Sequence, residues 1–139
     1  MTRLVHAAAA VLVILAFATG LAFAQAKTYT PIRGEAEISV IVGKPVVDYK
    51  ANTVTTTIKV KNTSAFGSIA GLKVEQYWWD KANSPQPAGG TNKRLQKPLQ
   101  PGEEATLTLT LQYDTKFFRD SYQFSHANGK IKAKSVKAF

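Results

Sequence analysis

Side chains that commonly perform catalysis are sparse in this sequence. The chain contains no cysteine and two histidines, and only His126 lies outside the N-terminal apolar segment. Ser125 precedes it, but neighbours on a strand point to opposite faces, so these two cannot form a nucleophile–base pair. A triad would require the fold to bring another serine to His126. We instead expect His126 to make a structural hydrogen bond near a hairpin tip.

Metal chemistry has even fewer candidate ligands. Zinc sites are built mainly from cysteine and histidine, and one histidine without cysteine supplies too few of them. We therefore expect no metal, no other cofactor and no catalytic residue.

Glu35 and Glu37 have the spacing of two carboxylates on one strand face, about 6.5 Å apart. That separation falls in the range of the carboxyl pair of glycosidases. Both side chains would share one wet face, without the buried environment that a catalytic acid requires, so a solvated strand face is the favoured interpretation. The sequence therefore indicates a protein that is not an enzyme.

The lysines have a more suggestive arrangement. Lys130, Lys132 and Lys134 alternate along one face of the last predicted strand, and Lys59 and Lys61 alternate on an earlier one. If these strands share a sheet, five ammonium groups form a surface that attracts anionic polymers. The other interpretation is that the lysines prevent sheet edges from associating and keep the domain soluble.

Aromatic residues end the most apolar predicted strand, residues 71–80. One face of this strand carries Leu72, Val74, Gln76 and Trp78. We expect that face to contact the core, with Trp78 buried. Tyr77 and Trp79 lie on the opposite face, where they are candidates for a surface contact such as stacking on a sugar.

Short alternating segments separated by turn signals occupy the rest of the chain. Further strands are predicted at residues 35–42, 46–49, 53–61, 106–111, 121–126 and 130–134. Asn128-Gly129 predicts a tight hairpin. Residues 80–93 are predicted to be a long polar connection, and residues 112–120 either one helical turn or an irregular corner packed by two phenylalanines. About seven short strands predict an all-β sandwich or barrel, and connections of varied length favour an antiparallel Greek-key β-sandwich.

The N-terminus has the pattern of a secretory signal peptide over residues 1–26. An apolar run follows Arg3, Ala22-Phe23-Ala24 provides a small-x-small cleavage site before Gln25, and Ala24-Gln25-Ala26 provides another two residues later. The alternative is an uncleaved helix that anchors the protein in a membrane. Residues 27–139 would form the exported β-sandwich domain, periplasmic or extracellular. Its net charge is +8, because Arg3 is the only charged residue of the leader in a chain of net charge +9.

An ordered set of residues resembles a known family. Asn62 follows a strand, Asp80 ends the aromatic strand, and residues 98–103 open another strand with a Pro-Gly-Glu turn. This set resembles the bacterial extracytoplasmic domains named for a Phe-x-Leu-Tyr-Asp (FxLYD) signature. The resemblance covers about residues 37–111 and implies an immunoglobulin-like sandwich without catalytic residues. At the signature positions this chain has Gln76, Trp78, Trp79 and Asp80, of which Asp80 matches.

Two functional hypotheses follow. The first is an exported, non-enzymatic domain that acts by contact with a protein or a cell-envelope component. The alternative is a binder of anionic polymers or carbohydrate, through the lysine-rich strand face and the exposed aromatics Tyr77 and Trp79. Anionic polysaccharides and lipid headgroups are the expected anionic partners. Nucleic acid is disfavoured, because a signal peptide directs the protein out of the cytosol.

Overall fold

The structure, a computed structural model, describes residues 27–139. The predicted signal peptide and the alternative membrane anchor, residues 1–26, lie outside the described residues. Within residues 27–139 no helix is long and apolar enough to cross a membrane. This part of the chain is all β, as the alternation of apolar residues predicts.

Ten strands form the fold. In chain order they are β1 (Thr30–Pro31), β2 (Ala36–Val42), β3 (Val46–Asp48), β4 (Thr53–Asn62), β5 (Gly67–Ser68), β6 (Lys73–Trp79), β7 (Gly89–Arg94), β8 (Glu104–Gln112), β9 (Arg119–His126) and β10 (Gly129–Ser135). β1 and β5 form a separate two-residue parallel ladder. The other eight form one curled, mostly antiparallel sheet, an arrangement consistent with a β-sandwich.

The curled sheet has two parts that meet at β10. In the first part, β4 pairs antiparallel with β8 on one side and with β2 and β3 on the other. In the second part, β6 lies between β7 and β9. The start of β10 pairs antiparallel with β9, and residues 131–135 pair parallel with β2. β10 therefore joins what we term the first sheet (β8, β4, β3, β2) to the second sheet (β9, β6, β7).

Alternating apolar side chains from both sheets form the core. Along β4, every second residue from Val54 to Asn62 is buried, which is the face that the period-two pattern predicts. The core cluster consists of Ala36, Ile38, Val40, Ile58, Val60, Ile69, Leu72, Val74, Leu99, Leu107 and Leu109. Burying each of the large aliphatic side chains contributes about 1.5–3 kcal/mol, so this cluster is the main source of stability.

β7 corrects the prediction that residues 80–93 are a polar connection without structure. The Gly89–Arg94 segment has low intrinsic β propensity, but it pairs with β6 along its whole length. A Cβ at Gly89 would lie 2.6 Å from the Phe117 Cζ atom, so glycine is required there for the strand to approach the ring. Tertiary pairing thus overrides a weak local signal.

The corner between β8 and β9 is irregular rather than helical. The Asp114 carboxylate accepts a hydrogen bond from the Lys116 amide at 2.8 Å, and the Asp114 carbonyl accepts one from the Phe117 amide at 3.1 Å. The Phe117 ring stacks on Trp78 with centroids 5.1 Å apart. Phe118 is 58% exposed, so only one of the two phenylalanines packs inside.

The hairpin between β9 and β10 forms where Asn128-Gly129 predicts it, displaced by one residue. Gly129 pairs with His126, so the two turn residues are Ala127 and Asn128. A side chain at Gly129 would overlap the carbonyl of Gly34, which passes beside it. Close backbone approach therefore requires the glycine.

Asn62 ties two loops together at the end of β4. Its side-chain amide is fully buried and donates to the carbonyls of Gly67 and Leu99, both at 2.9 Å. Its side-chain oxygen accepts from the Ser64 amide at 2.9 Å. These three bonds pair the buried side chain with backbone groups of both loops, and the Leu99 carbonyl also accepts the Ile69 amide at 2.9 Å.

Asn62→Asp is expected to lower the free energy of unfolding by about 3 kcal/mol at neutral pH, because a buried carboxylate would face two carbonyl oxygens. Burial would raise the pKa of this carboxyl, so the folded state would bind more protons and the loss should shrink as the pH falls toward about 4. Urea unfolding at both pH values measures this. The control is Asn92→Asp, at an exposed position of β7. Equal losses of stability in the two variants would contradict the buried hydrogen bonds assigned to the Asn62 side chain.

Candidate functional site

The first sheet collects lysines on its outer side. Lys61 of β4 pairs with Ser39 of β2, and Ser39 pairs on its other side with Lys134 of β10. Lys59 and Lys132 lie two residues away on the same faces of β4 and β10, since side chains alternate along a strand. The register thus places four of the five predicted lysines on one surface.

Lys130, the fifth, lies elsewhere. It pairs with Ser125 of β9, so it belongs to the part of β10 that joins the second sheet. Lys137 takes its place on the first sheet. The Val136 amide donates to the Val40 carbonyl at 2.9 Å, and in the segment that follows, Lys137 lines one groove together with Lys59. We term Lys59, Lys61, Lys132, Lys134 and Lys137 the lysine face.

Carboxylates neutralise only part of the lysine face. Lys61 forms an ion pair with Glu104 at 3.6 Å, and Lys132 forms one with Glu37 at 3.3 Å. Both pairs are largely exposed, so each contributes little to stability. Within residues 27–139, the other three lysines of the face have no carboxylate within 4.0 Å. The face therefore has an excess of positive charge.

Two open grooves run beside β2 on this surface. One has a volume of about 470 Å³ and is lined by Ile41, Gly43, Thr57, Lys59, Glu104, Lys137, Ala138 and Phe139. The other has a volume of about 360 Å³ and is lined by Glu37, Ile38, Ser39, Thr63, Lys132 and Lys134. Strands two apart are about 10 Å from each other, close to the Debye length at moderate salt, so the electrostatic fields of the lysines on β4 and β10 overlap.

Tyr77 and Trp79 lie on the outer side of the second sheet, away from the lysine face. The Trp79 indole Nε1 donates to the Ser121 hydroxyl at 2.9 Å, and the Arg119 guanidinium carbon is 5.8 Å from the Trp79 ring centroid. Tyr77 packs beside Gly90 of β7. The structure therefore separates the predicted site residues into two surfaces, and Trp78 is buried as predicted.

A buried polar cluster holds β6 in this orientation. The Gln76 side-chain amide is fully buried and donates to the Thr56 hydroxyl at 2.9 Å and to the Tyr122 hydroxyl at 3.1 Å. Tyr122 in turn donates to the Asp120 carboxylate. Thr56 belongs to the first sheet and the others to the second, so the cluster links the two sheets. Burial, with the hydrogen bond to Asp120, raises the pKa of Tyr122.

Tyr122→Phe tests this cluster through the pH dependence of stability. Above pH 10 the unfolded phenol ionises while the folded one stays neutral, so wild-type stability falls as the pH rises past the ordinary pKa of 10.0. The phenylalanine variant lacks this contribution, and its unfolding free energy should depend less on pH there. It should also lose about 1 kcal/mol at neutral pH.

Denaturant unfolding between neutral pH and about pH 11 measures the difference, with Tyr49→Phe as the control because Tyr49 is 78% exposed. Identical pH dependence in Tyr122→Phe and the wild type would contradict the assigned cluster.

His126 makes the structural contacts that the sequence predicts. Its side chain is 7% exposed, and Nε2 lies 2.7 Å from the Gly34 carbonyl oxygen, to which it donates. Nδ1 accepts from the Asn128 amide at 3.4 Å. Both ring nitrogens are thus engaged with backbone groups. Among residues 27–139 no group of three or more His, Cys, Asp or Glu side chains is placed to hold a metal ion.

Comparisons with known proteins concern the fold. No protein-family model matches the chain. A search of curated proteins found no match. Among solved structures, IrmA from Escherichia coli is similar with a TM-score of 0.50 and 8% sequence identity, over 75% of this chain and 94% of IrmA. At this identity the likeness shows the all-β fold alone.

Proposed function

We propose that this protein is an exported, non-enzymatic binding domain whose lysine face contacts an anionic polymer of the cell envelope. One observation carries the proposal: the parallel pairing of β10 with β2 and the antiparallel pairing of β2 with β4 put lysines of distant segments on one surface. Binding of a polyanion to such a surface is favoured because it releases the counterions condensed on the polyanion.

The neighbouring side chains suit the same ligand. The hydroxyl of Ser39 on β2 lies between Lys61 and Lys134, and Thr57 of β4 lines one groove with Lys59 and Lys137. Thr106 of β8 pairs with Lys59. Hydroxyls donate hydrogen bonds to carboxylate, sulfate or phosphate oxygens, and charge-assisted bonds of this kind are stronger than neutral ones. The grooves on both sides of β2 fit an extended chain that crosses the strands.

The proposal includes an immunoglobulin-like arrangement of the sandwich. Two groups of strands support it: β4 pairs with β8 and β2 in the first sheet, and β6 pairs with β7 and β9 in the second sheet. Membership of the FxLYD domains is a proposal of the same kind. It is supported by Asp80, which ends the aromatic strand: hydrogen bonds from the Ser84 hydroxyl and amide lower the pKa of Asp80 and close the turn after β6.

The test is retention of the purified protein on immobilised heparin, a sulfated polysaccharide, during a salt gradient. The triple variant Lys59→Gln/Lys134→Gln/Lys137→Gln removes the three unpaired lysines of the face. We expect it to elute at clearly lower salt. The slope of log affinity against log salt should fall by roughly three, because about one counterion is released per neutralised contact and three contacts are lost.

The matched control is Lys50→Gln/Lys93→Gln/Lys97→Gln, which removes the same charge from exposed positions outside the lysine face. It should elute close to the wild type. If the two triple variants elute together, net charge alone explains retention and the lysine face is not the binding surface. Absence of wild-type retention at low salt would also overturn the proposal.

A further inference from the structure

A groove lies beside Tyr77 on the outer side of the second sheet, on a different sheet from the lysine face. It has a volume of about 370 Å³, and its lining includes Glu75, Tyr77, Pro87, Gly89, Gly90 and Asn92. This volume is within the range of sites that hold small ligands. The groove is formed by neighbouring residues of β6 and β7, since Tyr77 pairs with Gly90 and Glu75 pairs with Asn92.

The two glycines shape this groove. A Cβ at Gly90 would lie 3.0 Å from the Gln76 carbonyl oxygen and 3.4 Å from Cδ1 of Tyr77, so the bare backbone lets the tyrosine ring pack against β7. Gly89 serves the other side of the strand, where its bare backbone faces Phe117. Gly89 therefore makes room for the core aromatic Phe117, and Gly90 lets the Tyr77 ring lie against β7 at the edge of the groove.

The charge at the groove is balanced. The Lys73 ammonium lies 2.7 Å from a Glu75 carboxylate oxygen, and both side chains are about three-quarters buried, so the pair presents no net charge. The second Glu75 oxygen and the exposed Asn92 side chain add acceptors and donors beside the ring. This combination of one aromatic face with mixed acceptors and donors suits a neutral ligand that has many hydroxyls.

We propose that this groove binds a pyranose residue of a neutral polysaccharide. The apolar face of the sugar stacks on the Tyr77 ring, and its hydroxyls bond to the Glu75 carboxylate and the Asn92 amide. Trp79 lies outside the groove, because its indole bonds to Ser121 of β9 and the Arg119 guanidinium lies near its ring. Nothing in this site involves the lysine face, so either proposal can fail without the other.

Isothermal titration calorimetry of the full-length protein with cellohexaose, maltohexaose and chitohexaose tests the site. We expect binding of at least one of the three in the millimolar range or tighter. Tyr77→Ala should weaken that binding about tenfold, the order expected for loss of one stacked ring. Tyr77→Phe should retain it, because stacking needs the ring and not the hydroxyl.

Tyr49→Ala is the matched control, since it removes a tyrosine that is 78% exposed at another site. Asn92→Ala is a second variant on the exposed edge strand, and it should weaken binding even if Tyr77→Ala fails to fold. The proposal is overturned if none of the three oligosaccharides binds. It is equally overturned if Asn92→Ala and a folded Tyr77→Ala bind like the wild type.

Discussion

The fold depends on one change of partner within β10. Its first two residues complete a hairpin with β9, and its next five pair parallel with β2. This crossover joins the second sheet to the first, and everything on the outer surface of the first sheet follows from it. The His126 side chain and the Asn128 carbonyl, both bonded to the Gly34 backbone, hold the hairpin beside the start of β2. That contact fixes where the parallel pairing begins.

The crossover also explains why the protein has two chemically distinct surfaces. The residues of β10 before the change of partner pair with β9 of the second sheet, at Ser125 and His126. The residues of β10 after it pair with β2 of the first sheet, beside Glu37 and Ser39. The buried Gln76 cluster then links the sheets face to face, with Thr56 from one and Tyr122 from the other. A basic surface and an aromatic one consequently point away from each other. A domain of this form can contact two ligands at once without competition.

Local patterns in the sequence predict much of this structure. The alternation through β4 identifies its buried face correctly, and the same rule places Trp78 inside and Tyr77 and Trp79 outside. Alternation depends only on strand geometry, so no knowledge of neighbours is needed. β7 was not predicted because two consecutive glycines carry no β signal. Its existence depends on β6 beside it and on Phe117 from a distant corner.

The composition of the lysine face illustrates the same limit. Which lysines share a face of one strand follows from their spacing, but which strands are neighbours does not. Lys130 and Lys132 lie on the same face of β10, yet the change of partner between them assigns them to different sheets. Lys137 lies beyond the last alternating segment and is out of phase with Lys132 and Lys134, so only the path of the chain after β10 brings it beside Lys59. Long-range register is therefore the information that local pattern lacks.

The most direct test of the central claim is a nuclear magnetic resonance titration of the ¹⁵N-labelled protein with a heparin hexasaccharide. We expect backbone amide shifts to concentrate in β2, β4 and residues 131–137, and added salt to reverse them. Shifts that concentrate instead in β6, β7 and β9, or that spread over all exposed lysines alike, would contradict the claim that the β10–β2 pairing creates the binding surface.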